Sequence, residues 1–134
     1  MTDFAALPLI PPRHELYALA RAERGRRGAA WRAHVAKNAD MRPRAQRDDA
    51  LWAAIVRLVG DDVLPDDFGP LIATSRSTAC RFLDQCPTDP RDVQAELHGW
   101  RLTTLARWIE QRAASATIRD NAAAQAAQAG KRAA

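Results

Sequence analysis

The residues of this 134-residue chain that could do chemistry are its three histidines, its two cysteines and three pairs of adjacent aspartates. His14, His34 and His98 have no carboxylate or thiol at metal-ligand spacing, so surface or partly buried histidines are the expected reading. Cys80 and Cys86 lack the paired Cys-x-x-Cys units of a zinc site and are too few for a disulfide framework. Cys80 lies among small and apolar residues and reads as a core thiol. The pairs Asp48/Asp49, Asp61/Asp62 and Asp66/Asp67 fall at expected helix ends, where complementing the helix dipole explains them better than acid–base work. Gly25 and Gly28 lie between arginines and do not follow a strand, so they make no phosphate loop. The expectation is a protein that is not an enzyme, with no cofactor and no metal.

Arginine is the residue type that stands out. The densest basic cluster is Arg21, Arg24, Arg26, Arg27, Arg32 and Lys37, and within it only Glu23 offers compensation. Guanidinium groups suit bidentate phosphate contacts, although a solvated helix face is the usual fate of a charge run. Binding through such residues weakens with salt as counterions are released. The four tryptophans could stack on bases, but their helical spacing with Val35, Val56, Leu97 and Leu105 favours packing. Trp31, near Arg27 and Arg32, is the exception. A second basic motif, Ser75 to Leu83, resembles the turn and recognition helix of helix-turn-helix regulators, with Gly69 where that motif takes a small residue. It lies in an acidic part of the chain, and Pro70 falls inside the motif's first helix.

Four helical segments must position these groups. Pro11-Pro12 precede a first helix over about 13–38, with Leu16, Leu19 and Ala20 on its apolar stripe and a possible break at Gly25 and Gly28. The second, over about 44–59, carries Leu51, Ile55 and Leu58 beside Trp52, Val56 and Val59, and Gly60 is its expected cap. Asp66 or Asp67 caps a third region over about 67–85, which could split near Thr74-Ser75, and Pro87 ends it. Asp89-Pro90 starts a fourth, which carries Val93, Leu97, Trp100, Leu105, Trp108 and Ile109. After about Ala113 there is little to bury, and fraying is expected. No alternating strand pattern occurs. The reading is all-α: a bundle of four to five helices over 13–112, an extended segment over 1–12 and a frayed Ala/Gln-rich tail over 113–134.

Charge is segregated along the chain. Residues 13–47 carry a balance of +7, residues 48–96 a balance of −6 and residues 97–134 a balance of +4, within a net +4. This predicts a basic surface built from the two ends and an acidic surface in the middle. No run approaches the ~20 apolar residues of a membrane span. Met1 to Pro12 has neither the basic nor the apolar region of a secretory signal, so a reducing cytoplasm is the expected compartment.

Several short motifs, in order, resemble the small subunit of type I-E, Cascade-type CRISPR effector complexes. Arg26-Arg27-Gly28-Ala29-Ala30-Trp31-Arg32 is similar to the family's arginine-containing segment, and Ala50 to Leu58 to its aliphatic helix. Phe68-Gly69-Pro70-Leu71-Ile72-Ala73 leads to the pair Arg81-Phe82, with Asp92-Val93 ten residues on. Trp100 to Trp108 is similar to the closing helix. The likeness covers about residues 24–110, and Pro87 and Pro90 stand where the family tends to run leucines. It implies a non-enzymatic helical subunit of a ribonucleoprotein complex, present in more than one copy, that holds guide–target duplex and displaced strand through their backbones. Arg24, Arg26, Arg27, Arg32 and Lys37 are the expected phosphate contacts, with Arg81 matching by motif. The other readings are a DNA-binding regulator using Ser75 to Leu83, and a phage- or plasmid-encoded interaction module or inhibitor whose acidic middle is the working surface.

Overall fold

The computed structural model describes residues 11–84 and 93–133, which form four α-helices and one 3-10 turn. Helix α1 spans Arg13–Lys37, α2 Arg42–Asp61, α3 Gly69–Asp84 and α4 Val93–Ala133, and the turn Ala39–Met41 joins α1 to α2. Among the described residues there is no strand, so the protein is an all-α bundle. The expected extended segment before Pro11, and the helix start at Asp89-Pro90, lie outside the described residues.

Two helical hairpins make the bundle. α1 packs along α2 and α3 along α4, while α2–α3 and α1–α4 contacts between the hairpins are sparser. The core where they meet takes Leu16 and Ala20 from α1, Trp52, Ile55, Leu58 and Val59 from α2, Leu71 from α3, and Leu105 and Ile109 from α4. These positions recur at the spacing that puts one stripe of each helix against its neighbours. Trp108 packs half-buried on the same core. Trp100 does not, being 53% exposed, and Leu97 one turn before it is exposed as well. The fourth helix therefore buries Leu102, Leu105 and Ile109 and turns its earlier aromatic outward.

Several local expectations are corrected. α1 does not break at Gly25 or Gly28, because Arg24, Arg26 and Arg27 tie that stretch to acidic residues and outweigh the intrinsic cost of glycine. α2 runs past Gly60 to Asp61 and is capped by Asp62, whose φ of 55° is left-handed and whose N–H donates to the Leu58 carbonyl at 3.1 Å. Gly60 serves close packing instead, since a Cβ there would come within 2.5 Å of the Tyr17 ring. α3 is unbroken through Thr74 and Ser75. Asp67 caps its start by accepting from the Gly69 N–H at 2.9 Å, with Pro70 in the first turn where no donor is missed. Cys80 is exposed. The buried face of α3 is Leu71, Ser75, Thr78 and Ala79, and residue 80 stands one step, about 100°, further round.

In the structure α4 continues as one helix through the Ala/Gln-rich tail to Ala133. The packed half supplies the nucleus, and alanine propagates a helix once it is started. Every described side chain from Thr117 to Lys131 is exposed. No helix among the described residues is long and apolar enough to cross a membrane.

Candidate nucleic-acid interface

The basic cluster of α1 separates into two populations. In its middle, the arginines face acidic partners. Arg24 donates through Nε and Nη2 to the Asp49 carboxylate at 3.0 and 3.2 Å. Arg26 donates to both oxygens of Glu23, with Nε to Oε2 at 3.0 Å. Arg27 donates to both oxygens of Asp48, at 2.9 and 2.6 Å, and reaches the Thr78 hydroxyl at 3.4 Å. Its guanidinium also lies 3.8 Å from Glu23 and 5.5 Å from the centre of the Trp52 ring. Arg27 thus bridges α1, α2 and α3. Its side chain is only 17% exposed, so this expected phosphate contact is a structural hub.

Glu23 and Asp48 are the acceptors that make this middle section. Glu23 is fully buried, and its remaining neighbour is His98 of α4, whose Nε2 lies 3.7 Å from Oε2. His98 also packs edge-on against Phe82 of α3, with ring centres 4.7 Å apart. A buried carboxylate is tolerated only when charged donors surround it, and Arg26 and Arg27 supply them from the same helix. Asp48 accepts from the Trp31 indole N–H at 3.0 Å as well as from Arg27. Trp31 is therefore held half-buried by α2. The adjacent pair Asp48/Asp49 does not complement the dipole of α2, whose first turn has no acidic residue; it receives the arginines of α1. The Arg24 guanidinium holds the Asp49 carboxyl below its ordinary range, chiefly by the hydrogen bond.

At the closed end of the α1–α2 hairpin the situation reverses. Arg32, Lys37, Arg42, Arg44 and Arg47 are all exposed, and none forms an ion pair with a described residue. Asp40 is the lone acidic side chain between Arg32 and Arg47. The Asn38 side chain tightens the turn by accepting from the Asp40 N–H at 3.1 Å. Beside the turn, a groove of about 670 Å³ runs between the two helices, lined by Gly28, Trp31, Val35 and Ala45 together with Arg32, Arg42, Asp48 and Asp49. Arg42, Arg44 and Arg47 were not singled out in the sequence; their place in the +7 segment was the available signal.

Arg81 is exposed on α3 and borders a second groove, of about 400 Å³, with Arg26, Arg27, Trp31, His34 and Phe82. The structure thus brings Arg81 near Arg26 and Arg27 but leaves Arg32 and Lys37 toward the hairpin tip. The stretch Ser75 to Leu83 has no turn ahead of a separate helix. Ser75 and Thr78 are buried, with hydroxyls donating to the Ile72 and Thr74 carbonyls, and Arg76 pairs with Glu110 of α4. The far end of the α1–α2 hairpin carries Asp61 and Asp62 together with Arg13. There Asp62 accepts from Arg112 of α4 at 2.9 and 3.1 Å, and this bond holds the Asp62 carboxyl below its ordinary range. No group of three or more acidic, histidine or cysteine side chains capable of holding a metal occurs among the described residues. Comparison with protein-family models, with curated proteins and with solved structures finds no match for the chain.

Proposed function

We propose that this protein acts by binding rather than by catalysis, and that it binds the phosphate backbone of a nucleic acid through the closed end of the α1–α2 hairpin. The observation that carries the reading is the cluster Arg32, Lys37, Arg42, Arg44 and Arg47: five exposed cations within one helical turn-around, none engaged by a described carboxylate. Such groups can exchange counterions for phosphates without first breaking an internal bond. Arg24 and Arg26 are partly exposed and can offer remaining N–H groups at the margin of this surface. Arg27 contributes by holding the hairpin together. In the setting implied by the resemblance to Cascade small subunits, the protein is one subunit of a ribonucleoprotein complex and the tip lies along a duplex or a displaced strand.

Fluorescence anisotropy with random single- and double-stranded DNA and RNA, at low and high salt, tests this directly. Expected is sequence-blind binding that falls steeply with salt, and its loss in the double variant Arg32→Glu/Arg42→Glu with the fold intact by circular dichroism. No binding at low salt, or unchanged binding by that variant, overturns the reading. Dependence on Arg76 and Arg81 alone would instead support the regulator reading, against which stand the unbroken α3 and the buried Ser75 and Thr78.

A further inference from the structure

The smaller groove lies between α1 and α3, which face each other across the bundle without packing together. Side chains reach over the gap, as Arg27 does to Thr78. The groove's volume of about 400 Å³ falls within the range of small-molecule sites, about 300–1,000 Å³. Its wall carries three guanidiniums, from Arg26, Arg27 and Arg81, and three rings, from Trp31, His34 and Phe82. No carboxylate of a described residue lines it, whereas Asp48 and Asp49 both line the larger groove beside the hairpin tip.

These groups are held in place before any ligand arrives. Arg26 gives Nε and Nη2 to Glu23, and Arg27 gives Nε and Nη2 to Asp48. A guanidinium has five N–H donors, so each arginine keeps its Nη1 group in reserve, and that of Arg27 spends only a 3.4 Å contact on Thr78. Glu23 and Asp48 offset two of the three charges. Attraction for an anion therefore comes from the oriented N–H groups and from Arg81, which is exposed on the opposite wall. The rings are fixed as well. Trp31 is tied through its N–H to Asp48 at 3.0 Å, and its ring centre lies 5.8 Å from that of His34. Phe82 packs edge-on with His98, and α4 approaches it so closely at Gly99 that a Cβ there would meet the ring at 3.3 Å. Groups already ordered lose little freedom on binding.

We infer that this groove binds a nucleotide through its phosphate monoester, with the phosphate among Arg26, Arg27 and Arg81 and the base against Trp31 and His34. A monoester brings about two negative charges near neutral pH and three terminal oxygens, which suits guanidiniums converging from two helices. The rings supply the flat apolar surface on which a base stacks. A free nucleoside monophosphate and the phosphorylated end of a strand share this chemistry. The inference goes beyond the backbone-binding reading, which concerns the phosphodiesters met by the hairpin tip, and stands without it.

Titration calorimetry of the full chain with adenosine 5′-monophosphate at low salt tests the inference. Expected is one-to-one binding with a dissociation constant below about 1 mM, and binding at least about tenfold weaker for adenosine or inorganic phosphate alone. Arg81→Ala, an exposed position, weakens it by about tenfold or more with the fold intact by circular dichroism. Tryptophan fluorescence falls on binding in the wild type and not in Trp31→Phe, which keeps a ring and retains the calorimetric signal. The variant Arg32→Glu/Arg42→Glu keeps the two proposals apart, since it retains nucleotide binding even where strand binding is lost. In that same variant, short oligonucleotides with and without a 5′-phosphate identify the source. A tenfold preference for the phosphorylated end assigns the groove to strand termini, and its absence, with the mononucleotide bound, assigns it to the free nucleotide. Failure of both ligands to bind, nucleotide binding unchanged in Arg81→Ala, or nucleotide binding lost in Arg32→Glu/Arg42→Glu overturns the inference.

Discussion

The middle of α1 and the closed end of the α1–α2 hairpin are both rich in basic residues and use them in opposite ways. In the middle, Arg24, Arg26 and Arg27 meet Asp49, Glu23 and Asp48, and the charge is spent inside the molecule. At the tip, Arg32, Lys37, Arg42, Arg44 and Arg47 face solvent without such partners. The difference teaches that a basic cluster in a sequence has two possible fates, decided by carboxylates that can be 20 or more residues away. Arg27 and Asp48 are 21 apart, and Arg24 and Asp49 are 25 apart.

The largest way to break this comparison is Arg27→Ala. It leaves Asp48 short of its main donor and Glu23 without one of its two flanking guanidiniums, in a partly dry setting, and removing one partner of such a buried pair costs about 3–5 kcal/mol. Urea denaturation should show that loss, whereas Arg32→Ala should fall within about 0.5 kcal/mol of wild type. Equal costs for the two would erase the distinction between hub and tip.

Next in size is the effect on binding. Arg32→Ala and Arg42→Ala should each lower the slope of log affinity against log salt by about 0.7 to 0.9, as expected for one lost phosphate contact. A larger change from Arg24→Ala than from either would move the interface back to the middle of α1.

Gly25 sharpens the comparison from the backbone side. A Cβ at Gly25 meets nothing within 4 Å, so Gly25→Ala should stabilise α1 by about 0.5–1 kcal/mol. Thermal denaturation would show the gain, and nucleic-acid binding should not change. Destabilisation would mean that the arginine stretch needs a flexible position there.

The smallest effect concerns the exposed pair Arg24–Asp49. The carboxyl of Asp49 is held below its ordinary range in the folded protein. Its contribution is therefore present above the unfolded carboxyl's range and is lost as pH falls through the folded value. Because both side chains are substantially exposed, the contribution is small. The stability difference between wild type and Asp49→Asn should be greatest near neutral pH and vanish in acid; a difference that persists in acid would assign the effect to packing.

Much of the fold was legible in the sequence because helix signals are local. The ranges of α1 and α2, the capping role of Asp67 and the core positions Leu16, Ile55 and Leu58 follow from side-chain period and from the chemistry of the residues at the helix ends. The errors share one cause. Gly60, Cys80 and Trp100 were assigned from their neighbours in sequence, yet each depends on which helix lies across from it: Tyr17 against Gly60, no described element over Cys80, and an α4 face turned away from the core at Trp100. The candidate interface was legible only as a charge balance.

By itself, then, the sequence determined an all-helical chain with an arginine-rich first half, because helix period and composition are properties of short stretches. Only the tertiary structure decided which arginines are available. Electrostatic pairing acts across a few ångströms of space regardless of chain separation, and the α1–α2 hairpin brings Asp48 and Asp49 to the middle of α1 while no described carboxylate pairs with the cations of its tip.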